Sequence, residues 1–357
     1  LSKENKPLLK LALEEEYEKI RIRNKNRSPK GNTLAYVDAV NNKHAIDWSS
    51  YSPPTPTFTG TKTITNFPLE DLKDYIDWTP FFMAWELAGK FPKILDDEVV
   101  GEVARSLYAD ATAMLETLIK EKLITANAVI GFWPANSDGD DIVVYTDNTR
   151  TEELTRLHHL RQQTDKPNEQ PNYCLSDYIA PIASKRSDYI GGFAVSTGLG
   201  VEHLAKAYED AKDDYNAILV KAIADRLAEA FAEKMHELVR LEHWDYVDIE
   251  SFTNAELIKE SYQGIRPALG YPACPDHTEK RTLFNLLDAE SAAGISLTEN
   301  FAMTPAASVS GFYFSHPESR YFGLGKINRD QVIDYAKRKG QSTQETERWL
   351  SPVLKYA

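Results

Sequence analysis

A proline-rich segment in the C-terminal half of the chain carries residue types that suit a small-ligand site. Arg266–Pro275, here called the clamp loop, contains three prolines, one glycine, one arginine and one tyrosine. Proline fixes φ and removes a backbone donor, which excludes a helix interior or a central strand. Gly270 lets the backbone turn or approach a ligand closely, and Arg266 offers a forked, permanently charged donor for a carboxylate or phosphate. The pattern predicts an anion-binding clamp; a surface connection with a solvated arginine fits the composition equally well.

The charge balance favours a cationic ligand over a nucleic acid. The chain has 54 acidic and 41 basic residues and a net charge of -13. Neutralising phosphates needs a basic face, so we expect no nucleic-acid partner. An acidic protein can instead attract a ligand with excess positive charge.

The cysteine content and the hydropathy of the chain limit where in the cell the protein is expected to lie. Cys174 and Cys274 are the only cysteines, and the chain has no Cys-x-x-Cys or His-x-x-x-His spacing, so we expect no metal site. Two free buried thiols are typical of a reducing compartment, which predicts a cytoplasmic protein. No apolar run reaches membrane-spanning length, and the charged first twenty-odd residues do not form a signal peptide. Because the chain begins at Leu1, we interpret it as a piece of a longer protein.

Hydrophobic periodicity predicts an α+β fold in which helices flank an antiparallel sheet. Short turns between the strands, such as the one ending at Gly139, favour antiparallel pairing. We expect residues 1–66 to form an interdomain connector or N-terminal extension, and residues 67–357 to form one large domain. The predicted strands are 128–133, 141–146, 189–196, 307–314 and 321–327. The predicted helices are 8–23, 72–87 with an interruption near Pro80, 97–123, 152–163, one or two over 202–240, 254–260, 278–294, 329–339 and a short one capped by Ser342.

Five strings along the chain have an unusual composition. They are Asp74-Tyr-Ile-Asp-Trp-Thr-Pro-Phe-Phe82, His159-Leu-Arg-Gln-Gln163, Asp225–Glu233, Gln263–Lys280 and Ser308-Val-Ser-Gly-Phe-Tyr-Phe-Ser-His-Pro317. In this order they resemble the C-terminal activation domain of cobalamin-dependent methionine synthase, which binds S-adenosylmethionine. The resemblance runs from about Leu69 to the C-terminus and departs from the family in the clamp loop, where Leu269 replaces the usual proline.

The resemblance implies which charged residues hold the ligand. Arg266 matches the arginine that binds the methionyl carboxylate, and Asp77 matches the aspartate at the methionyl amino end. Glu229 is expected near the cationic end of the ligand. Each has a purely structural alternative: a salt bridge for Arg266, a helix N-cap for Asp77, and a solvated pair with Arg226 or Lys234 for Glu229.

The remaining contacts implied by the resemblance come from the clamp loop and from one aromatic pair. Backbone groups of Ala268 and Gly270 and the ring of Tyr271 are expected to complete the pocket. Tyr321 and Phe322 match an aromatic pair that contacts S-adenosylmethionine. Because they begin the last predicted strand, only one of the two side chains can face the site, and the other residue is expected to contribute backbone groups. Glu260 is a further candidate for orienting Arg266, and none of the histidines receives a catalytic role.

The resemblance also implies the reaction and its partners. A methyltransferase of this kind passes the methyl of S-adenosylmethionine to cob(I)alamin, formed by reduction of cob(II)alamin, within the full-length enzyme of methionine biosynthesis. The chain lacks an Asp-x-His-x-x-Gly string, so the cobalamin is expected on a companion domain of the same polypeptide. Alone, the fragment is expected to be inactive.

The electron donor implied by the family is flavodoxin or a flavoprotein reductase. A candidate docking patch consists of Arg329, Lys337, Arg338 and Lys339, although cations at a helix C-terminus are also favourable without a partner. The main alternative function is a stand-alone S-adenosylmethionine-binding regulatory module. An independent methyltransferase is disfavoured, because Gly198-Leu-Gly200 does not open a convincing nucleotide-binding unit.

Overall fold

The computed structural model of the chain describes residues 32–167 and 170–356, together with Tyr17. The helix predicted over 8–23 lies outside the described residues except for Tyr17, which is helical. The α-helices are α1 Tyr36–Asn41, α2 Thr79–Ala84, α3 Gly101–Glu121, α4 Val201–Asp210, α5 Asp214–Leu238, α6 Asn254–Ile258, α7 Glu279–Leu287, α8 Ala289–Ala293, α9 Arg329–Lys339 and α10 Thr343–Leu350. The strands are β1 Gly60–Ile64, β2 Thr125–Asp138, β3 Asp141–Tyr145, β4 Glu153–His158, β5 Asp188–Leu199, β6 Ser296–Leu297, β7 Met303–Thr304 and β8 Ser308–Tyr313.

One six-stranded antiparallel sheet organises the domain, in the order β4-β3-β2-β5-β8, with β1 pairing on β2. The long strand β2 pairs with β1 through Ala128–Phe132 and with β3 through Ala135–Asp138. Along its other edge it pairs with β5. The predicted α+β class, an antiparallel sheet with flanking helices, is confirmed.

Both faces of the sheet are covered, which explains why β2 and β5 are buried along almost their whole length. Alternate residues of a strand face opposite sides. On one side, Ile130 and Phe132 pack with α3 and α5 in the larger core. On the other side, Val129 and Trp133 pack with α7 in a second core. A third cluster joins α9 and α10 beside Leu160.

The helix predicted over 152–163 is wrong. Residues 153–158 form strand β4, which pairs with β3 from Asp141↔His158 to Tyr145↔Glu153, and the chain beyond it is extended and buried. There the guanidinium of Arg161 is held by Asp177 at 2.7 Å and by Asp140 at 2.9 Å through Nε. The local sequence pattern also fits a helix, but the segment forms a strand because the free edge of β3 offers backbone pairing and the buried ion cluster holds the chain beyond it.

The strand predicted over 321–327 is also wrong, because another segment occupies the place beside β8. Ile265 and Ala268 form bridges with Phe314 and Gly311, so the start of the clamp loop takes the free edge of β8. The 321–327 segment instead contacts the loop from outside, where the Leu324 N–H donates to the Pro272 carbonyl at 2.8 Å.

Two predicted helices are broken. The 278–294 segment forms α7 and α8, which meet at Asp288 in the left-handed region with φ 47°. The 72–87 segment forms a 3-10 helix over Leu69–Tyr75 and then α2, which begins just before Pro80. The helix predicted over 329–339 is confirmed with the same bounds as α9.

The predicted connector contributes structure of its own. Residues 60–64 form β1, which was not predicted, and pair with β2. The domain boundary proposed at residue 66 stays a prediction.

Candidate functional site

The clamp loop is fixed to the edge of the sheet by backbone hydrogen bonds. The Phe312 N–H donates to the Pro267 carbonyl at 3.1 Å, and Ile265 and Phe314 exchange two bonds of 3.0 Å. Within the loop, the Gly270 N–H donates to the Cys274 carbonyl at 2.7 Å. The loop is therefore an irregular continuation of the sheet, which gives its side chains a defined direction.

Gly270 is required by the turn of the clamp loop. Its φ is 92°, in the left-handed region, and a Cβ added there would lie 2.2 Å from Cε1 of His277. Any other residue would strain the backbone and displace the imidazole. Leu269, which stands where the family usually has proline, is buried in the second core, so apolar packing also anchors the loop.

A cavity of about 520 Å³ opens over the clamp loop. This volume lies within the range of roughly 300–1,000 Å³ typical of small-molecule sites. Its floor includes Phe193 of β5 and Val309 of β8, which are apolar. Six of the residues predicted from the sequence line it together: Glu229, Arg266, Ala268, Tyr271, Tyr321 and Phe322.

Arg266 is the one cation lining the cavity, among the residues that the structure describes. Its Nη2 donates to Oε2 of Glu233 at 2.6 Å. Its Nη1 donates to the hydroxyl of Tyr262 and faces Nδ1 of His236 at 3.3 Å. The structural salt bridge considered for Arg266 therefore exists, and the guanidinium lines the cavity at the same time.

Two carboxylates, Glu229 of α5 and Glu260 after α6, stand on the wall of the cavity with Arg266. Desolvation by the cavity wall raises the pKa of the Glu229 carboxyl, against the opposing charges of Arg226 and Arg266. Desolvation likewise raises the pKa of Glu260, which Arg266 lowers in part. With Glu233 paired to Arg266 from behind, the cavity and its support contain three carboxylates and one guanidinium. This excess of negative charge suits a ligand with both a carboxylate and cationic groups.

Tyr321 and Phe322 both line the cavity. They lie outside any strand, and the alternation of a strand does not apply to them. The hydroxyl of Tyr321 accepts the Arg266 backbone N–H at 2.9 Å. Phe322 stacks on Tyr173 with ring centroids 5.8 Å apart. Together they provide a flat apolar surface beside the clamp loop.

Two predicted site residues lie off the lining of this cavity. Gly270 borders a neighbouring cavity of about 430 Å³, which shares Tyr271 with the first. Asp77 is half-buried at the entry to α2, where its Oδ1 accepts the Thr79 N–H at 2.9 Å. That bond closes a turn just before the helix, whose N-cap residue is Trp78 and has no side-chain capping bond. The N-cap alternative for Asp77 is therefore wrong, and the contact of Asp77 with a ligand stays a prediction.

Sequence reasoning missed the roles of three residues behind Arg266: Glu233, His236 and Tyr262. Glu233 lies four residues after Glu229 on α5, so helical spacing could have placed both beside the same arginine. His236 and Tyr262 gave no sequence signal. His316 also gave no sequence signal; it is buried at 4 % exposure, and burial lowers its pKa to about 4.

Two of the four cations in the proposed docking patch on α9 form short ion pairs within the fold. Lys339 is paired with Asp276 and Glu279 at 2.7 Å each, and Arg338 is paired with Asp334 at 2.7 Å. These contacts favour the reading of a helix C-terminus with stabilising cations.

Membrane-spanning helices and metal-binding clusters are absent from the part of the chain that the structure describes. None of its helices combines the length and the hydropathy that a membrane span needs. Nor does any group of three or more His, Cys, Asp or Glu side chains in that part of the chain have a geometry that could hold a metal ion. Cys174 and Cys274 are buried free thiols.

Comparison with known proteins agrees with this geometry. Residues 68–340 match the family model described as the activation domain of vitamin B12 dependent methionine synthase. The chain is also similar to the crystal structure of a MetH reactivation domain bound to AdoHcy, with 54% sequence identity and a TM-score of 0.88. That match covers 91% of this chain and 99% of the other. The chain therefore belongs to the family of vitamin B12-dependent methionine synthase activation domains.

Proposed function

We propose that the cavity over the clamp loop binds S-adenosylmethionine and presents its methyl group to a corrin carried by a neighbouring domain. The observation that supports this most is one partly accessible guanidinium, paired with Glu233 behind it, that lines an open, partly apolar cavity together with the carboxylates of Glu229 and Glu260. S-adenosylmethionine carries a carboxylate, an ammonium and a sulfonium, so it meets each of these features. The similar MetH domain binds AdoHcy, which has the same adenosyl and amino-acid parts.

Each proposed contact has a distinct physical role. Arg266 binds the carboxylate of the ligand through charge-assisted hydrogen bonds. Glu229 attracts its cationic end, and Asp77 approaches the amino group from the entry to α2. Tyr321 and Phe322 cover the adenosyl part. Backbone groups of Ala268 and Gly270 and the ring of Tyr271 complete the site.

The protein contributes binding and orientation to this reaction. Methyl transfer from a sulfonium needs in-line alignment with a nucleophile, and a rigid site supplies that alignment. The reduced corrin supplies the nucleophile when the domains dock. The clamp loop, fixed to β8, holds the ligand at the mouth of an open cavity, where a second domain has access.

The wider assignment follows from the family. We propose that the domain acts within a full-length methyltransferase of methionine biosynthesis, with residues 1–66 as connector and 67–357 as the domain. Flavodoxin or a flavoprotein reductase is the proposed electron donor. The buried free thiols support a cytoplasmic location.

A cavity-filling substitution tests the proposed site. Ala268→Trp places an indole in the cavity and should abolish heat of binding when S-adenosylmethionine is titrated into the chain. Ala109→Trp, on the exposed face of α3, is the matched control and should bind like the wild type. Equal binding by both variants would place the ligand elsewhere.

A second experiment separates reactivation from regulation. By itself, the isolated chain should transfer no methyl group. When a cobalamin-binding domain and a reductant are added, methyl transfer should occur. Binding without transfer under those conditions would favour the alternative of a regulatory module.

A further inference from the structure

The guanidinium of Arg266 is held from behind the cavity by side chains that do not line it. Glu233, His236 and Tyr262 take up three of its N–H groups, and none of the three is part of the cavity wall. An arginine has five N–H donors. The Nε–H and one N–H of Nη2 therefore have no acceptor among the described residues. Two neighbouring donors are what the two oxygens of a ligand carboxylate need.

Glu233 is the residue that balances the charge of Arg266. It is 7 % exposed, and of the described acidic residues it alone lies within salt-bridge distance of Arg266, at 2.6 Å. Its second oxygen, Oε1, is buried and has no partner in the described part of the chain. A carboxylate buried in this way is stable only because it is paired, so the pair fixes both side chains.

His236 adds a fixed acceptor without adding charge. Burial, and then the positive charges of Arg240 and Arg266, hold the pKa of its imidazole well below the ordinary range. The neutral ring can accept from Arg266 at Nδ1. It is stacked on Tyr313, with centroids 5.2 Å apart, and contacts the ring of Tyr262 edge-on at 5.1 Å. These ring contacts restrict rotation of the His236 imidazole, so its acceptor Nδ1 keeps its position.

We propose that Glu233 is a positioning residue for ligand binding: with Tyr262 and neutral His236 it fixes the Arg266 guanidinium so that its two remaining donors meet the ligand carboxylate. This inference rests on the proposed function. A purely structural salt bridge would affect all ligands of the cavity equally. A positioning role affects only ligands that carry the carboxylate.

Calorimetric titration of two ligands into Glu233→Gln distinguishes these roles. S-adenosylmethionine carries the carboxylate, whereas decarboxylated S-adenosylmethionine keeps the adenosyl, sulfonium and amino groups without it. We expect Glu233→Gln to weaken S-adenosylmethionine about tenfold and to leave the decarboxylated ligand within about twofold of its wild-type affinity. Glu237→Gln, one turn further along α5 and paired with Lys234 at 2.9 Å, is the matched control and should change neither.

A double-mutant cycle with Arg266→Ala gives the second readout. If Glu233 acts through Arg266, then adding Glu233→Gln to Arg266→Ala should weaken S-adenosylmethionine no further. The double variant also removes both buried charges, so it remains measurable if Glu233→Gln alone fails to fold. Additive losses, or equal losses for the two ligands, would overturn the positioning role and leave the proposed function intact. No binding by the wild type would overturn both.

Discussion

Replacement of Gly311 by alanine tests how the sheet positions the clamp loop. A Cβ at Gly311 would lie 2.6 Å from the carbonyl oxygen of Pro267 and 3.0 Å from Cε1 of Phe193. The first of these is a backbone atom and cannot rotate away. The loop must therefore move off β8, which strains the hydrogen bond from the Phe312 N–H to Pro267 and the bridge between Ala268 and Gly311.

The expected loss can be worked from these contacts. Overpacking costs roughly 1–3 kcal/mol, and a weakened hydrogen bond costs about 0.5–1.5 kcal/mol, so we expect a loss of about 2–4 kcal/mol in the free energy of unfolding. Because Pro267 follows Arg266 directly, the affinity for S-adenosylmethionine should fall with it. Urea unfolding and calorimetric titration measure the two effects.

Gly323→Ala is the control for stability, since an added methyl there meets no atom within 4 Å. It should change the free energy of unfolding by less than about 0.5 kcal/mol. If Gly311→Ala is as stable as this control and binds the ligand like the wild type, the reasoning that β8 fixes the clamp loop is refuted.

Two further predictions concern pH. His316 is neutral in the fold because burial lowers its pKa to about 4, and the unfolded chain binds the extra proton below about pH 6.5. Stability should therefore fall between about pH 6.5 and 4, and His316→Asn should remove roughly 1–2 kcal/mol of the difference in unfolding free energy between pH 7 and 5, whereas exposed His203→Asn should not. Glu229, whose pKa is raised by desolvation, attracts a cation only while ionised, so affinity for S-adenosylmethionine should fall as pH decreases through that raised pKa. Although the cavity wall desolvates its carboxyl in part, the Glu229 side chain remains exposed, so solvent screens its charge. Glu229→Gln should therefore flatten this dependence and weaken S-adenosylmethionine more than AdoHcy, by up to about fivefold; equal weakening of both ligands would contradict the charge argument.

Local sequence was a good guide to helices with strong boundary signals. The last turn of α9 carries three cations and stops at Gly340, which has φ 65°, and both bounds were predicted. Secondary-structure prediction failed for the segments whose state depends on pairing with a distant strand. Residues 153–158 have a local pattern that fits a helix, but they form a strand because they pair with the edge of β3. Residues 321–327 have a pattern that fits a strand, but they do not pair with β8 because the clamp loop occupies its edge.

The same division applies to the site. The sequence alone predicted a rigid clamp loop with Arg266 as its anion-binding group and carried the resemblance to activation domains, because these rest on residue types in short strings. Only the tertiary structure decided that Glu233, 33 residues before Arg266, holds its guanidinium. It also brought Tyr321 and Phe322 to the same cavity. Such contacts join elements distant in the chain, and no local pattern encodes the packing of α5 and β8 that creates them.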